Sequence, residues 1–159
     1  MSEASIRIAI SFDPARAEFK EALGSLRIAA AGERARKLLD KPSDRMSDGE
    51  LLEALRLLED VLPYRPHDPE LNERAARVCL RLAKLDDAFE YAETLLMRQP
   101  EYAPAHSLIG RIHKERGELD LAMKAFETAI KFDQEDVDAR RNIAALRIGA
   151  HDAAHGGKS

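Results

Sequence analysis

The sequence predicts an all-α protein, an α-solenoid of antiparallel helix pairs with about eight helices, and three observations predict it. The first is recurrence. Laid over itself at an offset of 34 residues, the chain places Ala54, Ala88 and Ala122 in one column and Leu58, Ala92 and Phe126 in another. The second is period: Leu108, Ile109 and Ile112, then Leu119, Ala122, Met123, Phe126, Ala129 and Ile130, return at the spacing of one helix face. The third is composition. Charged residues make up 34% and aromatic ones 5%, with no Trp, a balance that suits helices and leaves a β-sandwich short of its preferred side chains.

The elements follow in chain order. The opening "IRIAISFD", residues 6–13, repeats the close of "LDLAMKAFETAIKFD", residues 119–133. It therefore reads as the end of a repeat's second helix, spanning about residues 3–12, with Pro14 marking the turn. A helix then starts at Ala15, and its Leu23-Gly24 matches Ile109-Gly110. More residues separate Gly24 from Gly49 than the repeat requires. They are read as a prolongation of that helix to about Asp40, continuous through Gly32 and roughly 39 Å long. Pro42 ends it. Residues 1–47 thus form an N-terminal half-repeat helix plus a long helix.

The repeats proper occupy residues 48–149 and open on "SDGE", residues 47–50, a capping box. In the last full copy Gly117 separates the two helices. Gly110, Ala122 and Ala129 are small where the helices must approach closely, and Phe126 supplies the bulk that fills the gap. A final helix, residues 136–149, gathers Ala139, Ile143 and Leu146 on one face and leaves Arg140, Arg141 and Arg147 to others. Stacked hairpins need such a solvating cap. Residues 150–159 read as a flexible tail.

Ile109-Gly110, Gly117, Ala122, Phe126 and Ala129, with Ala88 and Pro100 one copy earlier, resemble the tetratricopeptide repeat family. The resemblance covers about residues 48–148 well and the first 47 partly. His106 departs from it where the family prefers a large apolar residue, His113 and Cys79 stand in a Tyr column, and Gln134 replaces a Pro. What the resemblance implies is a right-handed superhelix whose first helices line a concave groove, in a protein that binds other proteins and is not an enzyme.

The residues themselves exclude several classes of function. The net charge of -4 is spread along the chain rather than gathered in a tail, so neither nucleic acid nor an anionic membrane is an expected partner. No apolar run approaches the roughly 20 residues that span a bilayer, and Arg7 and Asp13 break the form of a signal peptide; a cytoplasmic location is expected. Cys79 is the single cysteine and lies on an apolar stripe, a core position rather than a nucleophile. His106 and His113 share a helix face without a third ligand at zinc-like spacing, and packing between helices is their expected role. His151 and His155 belong to the tail. No glycine-rich phosphate loop or acid–base pair emerges. Neither cofactor nor metal is expected.

Surface chemistry remains. Projected onto the groove implied by the resemblance, the first helices present Glu70, Glu73, Arg74, Arg77 and Arg81, then Ser107, Leu108, Arg111, Lys114 and Glu115. The cap adds Asp138, Arg141, Asn142 and Ala145. Arg74, Arg77, Arg111 and Arg141 would form a ladder able to fork onto carboxylates, although arginine is also simply a good helix former on an exposed face. The leading reading is an adaptor that grips an acidic peptide or helix of a partner protein. A secretion-type chaperone is the alternative, with only Leu80, Leu108 and Ile148 as apolar lining; a homo-oligomeric scaffold using the long N-terminal helix is the third reading. The family's two-carboxylate clamp would fall on Leu39, Ser43, Arg74, Pro104 and Leu108, of which only Arg74 could serve.

Overall fold

Short polar side chains mark where the helices begin. Ser47 accepts a hydrogen bond from the Glu50 amide at 3.3 Å, and the Glu50 carboxylate accepts from the Ser47 amide at 2.8 Å, the reciprocal box expected from "SDGE". Asp68 accepts from the Leu71 amide at 2.9 Å, with Pro69 in the first turn, where its missing N–H has no helical partner to lose. Asp136 likewise accepts from the Ala139 amide at 2.8 Å.

The computed structural model describes residues 3–4, 17–30 and 37–156, and over these residues it is all-helical, without strands. The helices are α1 (Ala17–Ala30), α2 (Asp48–Val61), α3 (Pro69–Arg81), α4 (Leu85–Arg98), α5 (Ala103–Glu115), α6 (Leu119–Phe132) and α7 (Val137–His155). A helical turn at residues 37–40 and a 3₁₀ turn at Ser43–Arg45 precede α2. The chain forms two compact units, Met1–Lys84 and Leu85–Ser159. In the first, α2 packs against α1 and α3, and α3 also meets the 3₁₀ turn. In the second, α5 lies against α4 and α6, α6 against α7, and α7 reaches back to α5.

The repeat columns hold in three dimensions. Ala54, Ala88 and Ala122 are all fully buried, as are Leu58, Ala92 and Phe126. The closest approach to a glycine joins α5 to α6. A Cβ added at Gly110 would sit 2.6–2.9 Å from three atoms of the Phe126 ring, closer than real carbon contacts allow. The ring therefore rests on bare backbone, and only glycine leaves room for it. Gly24, its sequence match, is approached less closely: a Cβ there would meet Arg65 Cγ at 3.1 Å and Tyr64 Cβ at 3.2 Å, contacts that a shift of a few tenths of an ångström relieves. Around Phe126 gather Ala122, Ala129, Ala139 and Ile143, with Met123, Ile130 and Leu146 packed beside them. The cap helix α7 thus seats the face the sequence assigns to it.

Two helices end alike. Beyond α5, the Gly117 amide donates to Lys114 O at 3.0 Å and the Glu118 amide to His113 O at 2.9 Å, with Gly117 at φ 77°. This is the paired closure of a Schellman motif. Beyond α3, the Ala83 amide donates to Leu80 O at 3.2 Å and the Lys84 amide to Cys79 O at 2.9 Å. Ala83 holds φ 56° there, with a side chain in the left-handed region. It lies one repeat length before Gly117.

The long helix expected over residues 15–40 is helical at Ala17–Ala30 and again at 37–40; its start and the stretch through Gly32 lie outside the described residues, as does most of the short helix expected at 3–12. At the other end α7 continues past Gly149 to His155, where the sequence reading stops it and begins a tail. Gly149 adopts no left-handed turn, and Ala150, Ala153 and Ala154 propagate the helix beyond it. His155 Nδ1 lies 2.9 Å from His151 O, and the two rings stack at 4.1 Å.

Gly110→Ala is expected to lower stability by about 1–3 kcal/mol through overpacking, even though alanine gains about 1 kcal/mol in helix propensity. Combined with Phe126→Leu, it should lose less than the two single changes together, a coupling that urea unfolding of all four proteins measures. Ala83→Gly, in contrast, should raise stability by about 1 kcal/mol, and Gly117→Ala should lower it by about as much. The opposite signs at equivalent positions make the comparison internally controlled.

Candidate partner-binding surfaces

In the first unit the basic side chains of α3 rest on a platform made by the residues before α2. The Glu50 carboxylate receives Lys41 Nζ at 2.9 and 2.8 Å while it caps its own helix. The Lys41 hydrogen bond, followed by that from the Ser47 amide, holds the Glu50 carboxyl down to about 2 from its ordinary 4.5. With Lys41 tied in this way, its carbonyl accepts from Arg74 Nη1 at 3.3 Å, and the carbonyl of Ser43 accepts from Arg81 Nη1 at 3.2 Å. Arg77, between them on the same face, donates to Glu73 Oε1 through Nε at 3.0 Å and Nη2 at 2.8 Å. Arg74, Arg77 and Arg81 thus form a row three and four residues apart on one side of α3.

Elsewhere in that unit Arg27 joins α1 to α2. Its Nη1 donates to Asp60 Oδ1 at 2.6 Å, and its guanidinium stands 5.0 Å over the Tyr64 ring. Its hydrogen bond to Asp60 raises the Arg27 pKa above its ordinary value. Its Nε is buried without a partner.

In the second unit the structure brings Lys114 and Asn142 together. Lys114 Nζ donates to Asn142 Oδ1 at 2.9 Å, and Asn142 Nδ2 donates to Asp138 O at 2.8 Å, which ties α5 to α7. Arg111 on α5 is half-buried, and Arg141 on α7 is exposed. Two other residues assigned to the groove are not on any surface: Ser107 is 5% exposed and Leu108 1%. Because α4, α6 and α7 all pack on α5, that helix has little free surface. Leu80 is buried as well, at 8%. Of the three apolar residues that would line a chaperone's groove, only Ile148 reaches solvent, at 64%.

The histidines pack as the sequence suggests. His113 meets Phe89 edge-on at 5.8 Å, with Nδ1 at 2.5 Å from Glu118 Oε2, and His106 lies 5.5 Å from Phe132 with Nε2 at 2.8 Å from Pro100 O. Arg116 stands 5.3 Å from the Phe89 ring and pairs with Asp86 at 2.5 Å. Cys79 is fully buried. Among the described residues no three His, Cys, Asp or Glu side chains come together to hold a metal, and no helix is long and apolar enough to cross a membrane.

Sequence reasoning missed the platform. Lys41 and Glu50 are nine residues apart across a proline, and no periodic pattern links them. It also passed over Ala83, although the 34-residue column that holds Gly117 points to it.

Paired antiparallel helices, recurring alanine columns and glycine-seated aromatic packing define a helical-hairpin repeat protein. The comparisons narrow the class. The tetratricopeptide repeat profile matches residues 45–112 and 80–147, and the chain belongs to the tetratricopeptide repeat family. Tetratricopeptide repeat protein 33 of Xenopus laevis is 29% identical over 83 residues, covering 52% of this chain and 32% of that protein. The protein of the same name from Mus musculus is 28% identical over 98 residues, covering 62% and 37%. The chain thus spans about a third of the length of these curated relatives.

Among solved structures, the Sgt2 TPR domain from Aspergillus fumigatus is similar with a TM-score of 0.64 at 20% identity, covering 80% of this chain and 86% of that one. The first TPR of Spaghetti (RPAP3), bound to the HSP90 peptide SRMEEVD, has a TM-score of 0.61 at 20% identity, covering 74% and 93%. At these identities the likeness shows the fold alone, and membership of the repeat family supports a protein–protein interaction module.

The platform yields a pH prediction. Because the folded-state pKa of Glu50 lies below its unfolded value, its contribution is complete above pH 4.5 and disappears as pH falls toward about 2. Glu50→Gln should therefore be less stable than the parent chain at neutral pH and match it near pH 2. Thermal melts across that range give the two curves, and added salt should narrow the gap between them.

Proposed function

We propose that this chain is a non-enzymatic adaptor that holds an acidic peptide or helix of a partner protein. The residues we assign to partner contact are, in the first unit, Arg74, Arg77 and Arg81 on α3 and, in the second, Arg111, Lys114, Arg141 and Asn142 on α5 and α7. The observation that carries the reading is the anchoring of the α3 row. Arg74 and Arg81 are each held through one Nη1 by a backbone carbonyl, and a guanidinium has five N–H donors in a rigid fork. An arginine fixed at one corner presents its other donors to a carboxylate with less rotamer freedom left to lose. The family supports the class of function, and the peptide-bound Spaghetti structure supports a peptide as ligand.

The test is fluorescence anisotropy with labelled acidic, neutral and basic peptides of equal length. Acidic peptides should bind, and binding should weaken as salt is raised. Arg81→Glu with Arg141→Glu, both at exposed positions, should reduce affinity for acidic peptides about tenfold or more, a loss of about 1.4 kcal/mol. Equal binding of acidic and basic peptides, or no effect of the reversals, would remove the arginines from the account.

A further inference from the structure

A different face of α7 forms a second surface. Arg140, Ile143, Ala144 and Arg147 line one bank of a cleft of about 320 Å³, and Glu127 and Ile130 of α6 line the other. Ile143 is part of the buried cluster under Phe126, and Ile130 packs beside it, so the floor is apolar and fixed. Arg140 and Arg147 are seven residues apart, about 10 Å along the helix, and stand at the two ends of that floor. Arg140 reaches Glu135 only at 3.4 Å. Asn142, turned toward Lys114 of α5, and Arg141 lie on the other side of α7.

We propose that this cleft docks an acidic amphipathic helix of a partner protein, a contact separate from the one assigned to Arg141 and Asn142. The charge pattern selects the occupant. Two of the three charged side chains are arginines on the α7 bank, so the partner brings carboxylates to that side, and Glu127 accepts from a lysine or amide on the side facing α6. The spacing selects the conformation. Arg140, Ile143/Ala144 and Arg147 follow the i, i+3/i+4, i+7 rhythm of a helix, and a helix lying alongside repeats it. One aliphatic side chain then enters over Ile143, between two carboxylates about two turns apart. An extended strand covers the same length in about three residues and turns successive side chains to opposite faces.

The probe is an alanine-based helical peptide with a central leucine flanked by glutamates one turn to either side. Two variants carry lysines for the glutamates or serine for the leucine. Titrated into the full chain labelled with ¹⁵N, the acidic probe should shift amides of residues 127–147, while the two variants bind about tenfold or more weakly. Arg140→Glu with Arg147→Glu should weaken the acidic probe by a similar factor. Ala144→Gln, at an exposed helical position, should obstruct the cleft without a charge change, and Lys84→Glu with Arg98→Glu should leave binding intact. Retained affinity after the Arg140 and Arg147 reversals, or equal binding of the lysine peptide, overturns the proposal. So do shifts confined to α3 and the Lys114 side of α5, which would place the probe on the other surface and leave the adaptor reading standing.

Discussion

The contact between Gly110 and the Phe126 ring sets the geometry of the second unit. With only 2.6 Å between the nearest ring atom and the place a Cβ would occupy, α5 and α6 can approach only as a backbone against a flat ring. That approach buries Ala122 and Ala129 and makes the pocket in which Ala139 and Ile143 of α7 sit. Once α7 is seated by those two residues, helical geometry determines where the rest of its side chains go. Asn142 meets Lys114, and Arg140 and Arg147 flank the α6 cleft. One residue without a side chain thus positions the polar groups of two surfaces on which it has no atoms.

The first unit adds side-chain hydrogen bonds to carbonyls to its buried apolar core. Lys41 and Ser43 lie in a segment of short turns whose Leu38, Leu39 and Met46 are buried, and whose backbone polar groups need partners that burial does not supply. Charged side chains supply the rest: Glu50 grips Lys41 from α2, and Arg74 and Arg81 reach the segment's carbonyls from α3. The same arginines therefore carry two possible roles, bracing the turn and recognising a carboxylate. A guanidinium has enough donors for both. Bracing also limits where a carboxylate can be received, because the fork's plane follows from its anchor.

What was legible in the sequence was what repeats. The alanine columns, the capping box at Ser47, the role of Gly110 and Phe126 and the buried face of α7 all rest on periodicities that a single chain displays. Projecting the groove failed where a helix packs on more than two sides: Ser107, and Leu108 although it also belongs to the apolar stripe, were projected outward from α5, yet α4, α6 and α7 surround that helix. Number of neighbours is a tertiary property, and the period of one helix does not encode it. The Lys41–Glu50 pair was equally illegible, because it depends on the path of a nonrepeating turn around Pro42. The end of α7 was missed for a simpler reason. Glycine marks a helix end when it takes a left-handed conformation, as Gly117 does, and Gly149 does not.

The repeat columns also show how far a repeat can diverge without changing its fold. In the last copy the pair of columns at the tight approach holds Gly110 and Phe126; one copy earlier it holds Ala76 and Ala92, both fully buried. The helix ends differ likewise, Gly117 in one copy and a strained Ala83 in the other, with the same two closing hydrogen bonds. Different residues thus close equivalent places in one fold, in keeping with the 20% and 16% identities to solved structures of that fold.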